Sequence, residues 1–255
     1  MDIKNITEYF DVIAPISRSA EWDNDGIMLL CGSDIKKVVL TLDVNTDAVE
    51  FAVSQDADLI ISHHPFLFKP IKRITCDAVS ENIKKLIKHD ISVLSYHTRM
   101  DASDMGINQY ILQKLGLKEI VPFGLDENDM TGRIGALENA ISMKDLCGCV
   151  KNLFKCNCFT CSNFDGDVRK IAVVSGGGNE YMEAAAKRGA DIFISGEFKH
   201  HHYINSQETN FPVISVDHYH CENIFVDLMY DIMTKKFPKL CIIKNEGKAP
   251  FLTIC

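Results

Sequence analysis

Short apolar runs alternate with amphipathic stretches along most of this chain. Runs of four to six residues rich in Val, Ile and Leu recur between segments whose apolar residues follow a helical spacing. Buried strands that alternate with helices are typical of α/β proteins. The strands predicted from this pattern are Val38–Leu42, Leu59–Ser62, Ser92–Tyr96, Ile171–Ser175, Ile192–Ser195 and Val213–Val216.

The helical stretches have recognisable starts. Asn45-Thr46-Asp47 predicts the start of a helix over Ala48–Gln55, because short polar side chains cap the first turn. Glu81–His89 and Met1–Arg18 also have one apolar face. We expect these helices to cover the faces of the sheet.

The strand and helix pattern occurs twice. A shift of 133 residues without a gap brings Lys37–His64 onto Lys170–Glu197, and the ends of the strand, helix and strand coincide. Such self-similarity predicts repeated structural units. We therefore predict an α/β protein of two related lobes from an internal duplication, residues 1–125 and 126–255, joined around Gly124–Gly135. A C-terminal part that packs back on the first lobe is an alternative to a strict division at this point.

Composition restricts the possible environment and partners. A formal charge of -8 and a pI near 5.6 argue against nonspecific nucleic-acid binding, which needs clustered Lys and Arg. No apolar run reaches the roughly 18 residues of a membrane span, and the N-terminus lacks the features of a signal peptide. A soluble, cytoplasmic protein is the expectation.

Eight of the nine histidines fall in four short motifs. His63 and His64 follow a predicted strand, at the carboxyl end where open α/β sheets bind ligands. Neighbouring side chains of an extended backbone point in opposite directions, so this pair can serve two metal ions. A pair of polar loop residues is the alternative for these two histidines.

Two further motifs combine histidine with a carboxylate. His97 and Asp101 follow one predicted strand, and His218 and Glu222 follow its counterpart in the second half, each pair at i,i+4 spacing. Imidazole and carboxylate ligands suit Zn²⁺, Mn²⁺ or Fe²⁺. The pattern predicts a metal site between the two lobes.

The fourth motif, Ser195–His202, supplies Glu197 and His200 as candidate acid and base groups. A solvated loop is the alternative. Gly176-Gly177-Gly178 follows a strand and could cradle a phosphate, but it lacks the spacing of a phosphate-binding loop, so a tight turn is favoured. Asp23, in the polar turn Trp22–Gly26, could bind substrate, although a structural role is slightly favoured.

Five of the ten cysteines are clustered, as Cys147-x-Cys149 and Cys156-x-Cys158-x-x-Cys161. A zinc ribbon is the alternative that this spacing raises. Cys147 and Cys149 lie in a predicted helix, however, where i,i+2 side chains point apart. We expect these five residues to be thiols in a reducing compartment.

With these motifs the chain resembles the GTP cyclohydrolase 1 type 2 homolog family, also called Nif-three-like proteins, from about Ile3 to Phe251. The matching motifs are Trp22-Asp23-Asn24-x-Gly26, Ser62-His63-His64-Pro65-x-x-Phe68, His97-Thr98-x-x-Asp101, Gly132-Arg133-x-Gly135, Ser195-Gly196-Glu197-x-x-His200-His201 and His218-x-x-x-Glu222.

The resemblance implies a dinuclear metal centre in which Glu222 bridges two divalent ions. The metal ligands that it implies are His63, His64, Asp101, His218 and Glu222. His97, Glu197, His200 and His201 match polar residues that line the same cavity, and we assign catalytic roles to the first three. A homohexameric ring of three dimers is also implied. The chain departs from the family pattern at Asp217, His220 and Cys221, where glycine, a small residue and threonine are usual.

The function predicted from these features is metal-dependent hydrolysis of a purine nucleotide or similar small molecule, with GTP as the substrate in the family label. The alternative is a noncatalytic metal-binding protein with a regulatory or metal-trafficking role.

Overall fold

The computed structural model describes residues 1–252, and the chain divides into two compact units. Unit 1 consists of Met1–Met100 and Phe225–Lys248. Unit 2 consists of Asp101–Ile224 and the described residues from Ala249 onward. Each unit has one mixed sheet with helices, which confirms the predicted α/β class. The lobe bounds predicted from the repeat, 1–125 and 126–255, stay a prediction. None of the helices in residues 1–252 is long and apolar enough to cross a membrane.

Unit 1 contains a five-stranded sheet in the order β1-β4-β3-β2-β11. Its strands are β1 (Gly26–Leu29), β2 (Lys37–Thr41), β3 (Leu59–Ser62), β4 (Ser92–Ser95) and β11 (Cys241–Lys244). All neighbours are parallel except β1 and β4, which are antiparallel. The three central strands, β2, β3 and β4, are apolar and almost wholly buried, as the continuous Val, Ile and Leu runs predict.

The helices of unit 1 begin at side-chain caps. They are α1 (Ile3–Ile13), α2 (Thr46–Ser54) and α3 (Ala78–Lys88). Asn45 accepts a hydrogen bond from the Ala48 N–H, as predicted. Asp77 caps α3, which begins at Ala78, three residues before the predicted start at Glu81. The predicted N-terminal helix is shorter than expected: α1 ends at Ile13, and Pro15 precedes a separate 3₁₀ turn.

Unit 2 contains a six-stranded sheet in the order β5-β6-β8-β9-β10-β7. Its strands are β5 (Lys118–Phe123), β6 (Gly132–Ser142), β7 (Thr160–Cys161), β8 (Asp167–Val174), β9 (Ile192–Ser195) and β10 (Val213–Ser215). Strands β8, β9 and β10 are parallel, and the remaining pairs are antiparallel. The Gly124–Gly135 segment is the turn between β5 and β6 and the start of β6, because Phe123 and Gly132 pair across it.

The remaining helices are α4 (Thr98–Asp101), α5 (Ile107–Lys114), α6 (Met143–Phe154), α7 (Met182–Lys187), α8 (His200–Thr209) and α9 (His218–Lys236). The division between the units falls at the end of α4 and within α9. Phe193 and Val213 lie in the apolar core of unit 2, and Ile60 and Leu86 lie in that of unit 1.

The two sheets repeat the same strand register. Val38 pairs with Leu59 in unit 1, and Ile171 pairs with Ile192 in unit 2, so the 133-residue offset found in the sequence also relates the pairings.

An aspartate at the start of the second strand repeats as well. Asp58 accepts hydrogen bonds from the backbone N–H groups of Lys36 and Lys37, and Asp191 accepts the same pair from Arg169 and Lys170. The repeat found in the sequence is therefore also a repeat of the structure.

Candidate metal centre

Three histidines gather in unit 1 where two parallel strands end. His63 and His64 follow β3, and His97 follows β4, so the parallel pairing of these strands brings the rings together. The three ring centroids are 5.1 to 5.5 Å apart. His63 is fully buried, and the other two are partly buried.

Each of these rings is oriented through its Nδ1 atom. His63 Nδ1 donates to the Tyr96 carbonyl at 2.9 Å, and His64 Nδ1 donates to Asp43 Oδ1 at 2.7 Å. His97 Nδ1 lies 2.8 Å from Asp23 Oδ1. An Nδ1–H that donates to a carbonyl or carboxylate places the ring lone pair on Nε2, which is the usual arrangement of a metal-binding histidine.

The donor atoms of His63, His64 and His97 are close enough for one ion. Each residue offers one ring nitrogen, and these atoms all lie within 4.8 Å of one another. The three residues therefore fit a divalent metal both in donor chemistry and in orientation. His97, predicted as a catalytic group, lies among residues that could hold a metal.

Asp23 is the buried orienting group of this cluster. Its side chain is fully buried, and it also accepts hydrogen bonds from the Thr98 hydroxyl at 2.5 Å and the Thr98 N–H at 3.1 Å. Burial alone would raise the pKa of Asp23, but the hydrogen bonds from His97 and Thr98 outweigh burial and hold it well below its usual range. Asp23 therefore has the structural role favoured from the sequence, and it also orients His97 in the histidine cluster.

In unit 2, His218 lies between two carboxylates. Its Nε2 is 3.0 Å from Glu222 Oε2, and its Nδ1 is 2.7 Å from Glu197 Oε1. The i,i+4 spacing on α9 places His218 and Glu222 on one face of the helix, as predicted. The hydrogen bond with Glu222 raises the pKa of His218 to about 9, although burial partly opposes this rise.

Gly176 makes room for the Glu222 carboxylate. The backbone of Gly176 is in the left-handed region, with φ +60°, and a Cβ at this residue would lie 2.0 Å from Glu222 Oε1. Gly178 is also restricted to glycine, because a Cβ at this residue would lie 2.5 Å from the Val174 side chain. The three glycines form the tight turn favoured from the sequence, but the contact of Gly176 with the site was not predicted.

Asp101, the last residue of α4, is largely buried in unit 2. The Ser175 hydroxyl donates to Asp101 Oδ1 at 3.4 Å. Asn108 accepts a hydrogen bond from the Ser175 N–H at 2.8 Å and donates to the Thr131 carbonyl at 2.9 Å. Asp101 is thus held beside Ser175, immediately before the Gly176 turn.

The structure separates the fourth histidine motif into two parts. Glu197 orients His218, so its contact is with a predicted ligand. His200 begins α8 as an exposed residue, and within residues 1–252 its side chain forms no hydrogen bond or ion pair. His202 accepts a hydrogen bond from the Lys199 N–H, which belongs to the start of the helix.

Two of the departures from the family pattern contact each other. Asp217 has φ +83°, a conformation that favours glycine and that costs other residues energy. Its carboxylate accepts hydrogen bonds from the His220 N–H at 2.9 Å and from His220 Nδ1 at 2.6 Å. Asp217 therefore caps the first turn of α9 and orients His220, two residues before Glu222.

A cavity of about 540 Å³ opens beside His218 in unit 2. Its lining includes Asn179, Glu197, Phe198, Lys199, Asp217 and Phe251. Its volume lies within the range of about 300 to 1,000 Å³ typical of small-molecule sites. It combines apolar rings with one cation and two carboxylates.

One of the five central cysteines, Cys158, lines the cavity beside His218. Among residues 1–252, no set of three side chains placed to bind one metal includes a cysteine. Cys147, Cys149, Cys156 and Cys161 are free thiols, as expected, whereas Cys158 is disulfide-bonded, so the expectation of five thiols is wrong for this residue. Burial and the neighbouring Cys161 raise the pKa of Cys147 to about 11.

Asp43 provides a test of the orienting contacts. Asp43→Ala is expected to lower metal affinity by about 10-fold to 100-fold, because His64 loses the acceptor that orients its ring. Stability should change little, since the Asp43 side chain is 48% exposed. Calorimetric titration with Zn²⁺ or Mn²⁺ measures the affinity. Asp47→Ala, an exposed charge change on α2, is the matched control, and equal affinities in the two variants would contradict the assigned contact.

The chain is similar to proteins of one family over almost its whole length. Residues 1–248 match the model of the family described as Duf34/NIF3 (NGG1p interacting factor 3). A protein of Clostridium acetobutylicum named GTP cyclohydrolase 1 type 2 homolog is 31% identical, with 87% of this chain and 85% of that protein covered. A protein of the same name from Campylobacter jejuni is 30% identical over 98% of this chain and 99% of that protein.

Solved structures show the same fold. The Staphylococcus aureus hypothetical protein SA1388 superimposes with a TM-score of 0.90 at 22% identity, covering 100% of this chain and 99% of that one. Reduced HcgD from Methanocaldococcus jannaschii gives a TM-score of 0.82 at 27% identity, with 96% and 97% covered.

Proposed function

Because the chain belongs to the Duf34/NIF3 family, we propose that it is a metal-dependent hydrolase of a purine nucleotide or a similar small molecule. The observation that carries this proposal is the orientation of His63, His64 and His97. Each Nδ1 is engaged by an oxygen atom, and the ring nitrogens available as ligands converge. This arrangement is typical of a metal site, and packing of the rings alone does not require it.

The proposed ligands of two divalent ions, Zn²⁺, Mn²⁺ or Fe²⁺, are His63, His64, Asp101, His218 and Glu222, with Glu222 shared by both ions. In unit 1 the support is the convergence of the histidines, and in unit 2 it is the buried carboxylate of Glu222 beside His218. When bound, such ions supply Lewis-acid chemistry, which polarises the substrate and makes water a better nucleophile near neutral pH.

The chain's own residues hold and move protons in this proposal. Glu197 fixes the Nδ1 side of His218 and is 56% exposed at the cavity, so its carboxylate can accept a proton released from water. His97, oriented by Asp23, and the exposed His200 are the other proposed proton-transfer groups.

The substrate proposal rests on the names of relatives and on the cavity. Relatives named GTP cyclohydrolase 1 type 2 homolog suggest a guanine nucleotide, and the cavity in unit 2 offers Lys199 to an anion and Phe198 to a ring. GTP is therefore the first substrate to test. A homohexamer is part of the same proposal and rests on the family resemblance.

The test combines metal analysis with turnover. Protein purified without chelator and supplied with Mn²⁺, Zn²⁺ or Fe²⁺ is expected to bind two ions per chain and to hydrolyse GTP or another purine nucleotide. Asp101→Asn should remove turnover, whereas Glu180→Gln, an exposed acidic position of unit 2, should retain it. Zero bound metal would reject the site. Two bound ions without turnover of any nucleotide would favour the noncatalytic metal-binding alternative.

A further inference from the structure

Two exposed aromatic rings lie together beside the histidines of unit 1. Trp22 is 63% exposed and Phe68 is 45% exposed, and their ring centroids are 6.0 Å apart at an angle of 50°. The Trp22 ring also lies 6.0 Å from the His97 ring, edge to face. Single exposed apolar residues are ordinary on protein surfaces, but a pair of rings that touches a histidine cluster needs a reason.

The backbone on both sides of Trp22 is fixed. The Ala20 N–H donates to Thr98 Oγ1 at 3.0 Å, and the Asp23 side chain, which follows Trp22, is buried against His97 and Thr98. The Asn24 amide donates to the Leu67 carbonyl at 2.5 Å and thereby joins the turn of Trp22 to the segment of Phe68. The exposed rings are thus held in place without being packed in the core, which is the arrangement of a preformed binding surface.

Positive charge follows Phe68 closely in the chain. Lys69, Lys72 and Arg73 are exposed, and within residues 1–252 none of the three forms an ion pair. Three unpaired cations within the five residues from Lys69 to Arg73 are unexpected in a protein of formal charge -8. They suit a ligand that carries phosphate, because ammonium and guanidinium groups bind phosphate oxygens directly.

We propose that Trp22 and Phe68 form a stacking surface for the planar ring of a phosphorylated heteroaromatic substrate, with Lys69, Lys72 and Arg73 as the anion-binding side. This inference rests on the proposed function, because it assigns the ring-binding part of the same small molecule. Trp22 supplies one aromatic face to the ligand ring, and Phe68, inclined at 50° to Trp22, supplies a second. Because Trp22 contacts His97 edge to face, a ligand ring bound on Trp22 lies beside the histidines that are proposed to hold the metal.

The single tryptophan of the sequence makes this surface directly observable. Fluorescence excited beyond the absorption band of the seven tyrosines then reports on Trp22 alone, so quenching by a bound ring needs no added label. The probes are guanosine 5′-monophosphate, guanosine, and ribose 5-phosphate, which lacks the base, each titrated into the full chain loaded with Zn²⁺. We expect saturable quenching by the nucleotide, weaker binding of the nucleoside, and no quenching by ribose 5-phosphate.

Variants separate the ring contact from the charge contact. Phe68→Ala should weaken nucleotide binding by about tenfold, since stacking of a base on one aromatic side chain contributes on the order of that factor. Lys72→Gln combined with Arg73→Gln should weaken the binding of the nucleotide but leave the binding of guanosine unchanged. Lys144→Gln combined with Lys151→Gln, an equal charge change at exposed positions of α6, is the control and should change neither.

Failure of this inference is distinguishable from failure of the proposed function. If GTP is hydrolysed while Trp22 responds to none of the probes, the stacking surface is wrong and the hydrolase stands. If the nucleotide quenches Trp22 and no turnover is found, the surface stands and the hydrolase fails. Emission that changes with protein concentration, and not with ligand, would identify the rings as a contact between copies and would overturn the inference.

Discussion

Gly176→Ala is expected to abolish the proposed hydrolysis and to weaken the proposed metal binding strongly while leaving the protein folded. The new Cβ would lie 2.0 Å from Glu222 Oε1 and 2.9 Å from its carboxyl carbon. The flexible end of Glu222 can swing away, so the fold can relieve this overlap at small cost, but the carboxylate then leaves its position beside His218. The left-handed backbone of Gly176 adds about 1 to 2 kcal/mol of strain for alanine. Turnover, metal content and thermal unfolding measure the three effects.

The neighbouring residue gives a matched control for this substitution. Gly177 has an ordinary negative φ, and nothing lies within 4 Å of a Cβ built on it. Gly177→Ala should therefore preserve both metal affinity and activity. Wild-type metal affinity in Gly176→Ala would show that the Glu222 carboxylate is not needed where the structure places it.

Glu222→Ala is expected to abolish the proposed hydrolysis and to weaken the binding of both proposed metal ions, whereas His64→Ala should weaken the binding of mainly one. A carboxylate shared by two cations offsets their repulsion and gives each ion an oxygen ligand, so its removal affects both. The loss of affinity should exceed the roughly 10-fold to 100-fold effect of removing an orienting partner such as Asp43. Elemental analysis and titration with Mn²⁺ or Zn²⁺ measure stoichiometry and affinity.

The metal-free protein offers a second measurement on the same residue. The hydrogen bond with Glu222 raises the pKa of His218 to about 9, so replacing Glu222 with glutamine should lower that pKa toward its ordinary value. Titration of the His218 ring by nuclear magnetic resonance measures this shift. If Glu222→Ala still binds two ions with unchanged affinity, the bridging role of Glu222 is wrong. If the pKa of His218 is unchanged in Glu222→Gln, the assigned contact between His218 and Glu222 is wrong.

The sequence was sufficient for features that depend on local periodicity. The six predicted strands occur where their apolar runs lie, and the 133-residue repeat carries over into the pairing of β2 with β3 and of β8 with β9. His63, His64 and His97 could be placed at the ends of parallel strands for the same reason. The gathering of these three histidines follows from strand order alone.

Features that depend on contacts between distant loops could not be predicted from the sequence. The partners of His64 and His97 are Asp43 and Asp23, and nothing in their local spacing distinguishes them from other turn aspartates. The requirement for glycine at residue 176 arises from a side chain 46 residues later in the chain, Glu222. Strands β1 and β7 were also missed. β1 (Gly-Ile-Met-Leu) is apolar, but it is only partly buried and follows directly on the polar turn Trp22–Gly26, and β7 has only two residues, both exposed.

The last strand of unit 1 has a consequence for synthesis on the ribosome. Strand β11 pairs with β2, whose residues were made some 200 positions earlier, whereas most of unit 2 is one continuous segment from Asp101 to Ile224. A nascent chain can therefore complete the core of unit 2 while one edge of β2 still exposes unpaired backbone groups. Unpaired edges are sites of aggregation in partly folded chains. The N-terminal half of this protein is the first to be translated and the last to become fully native.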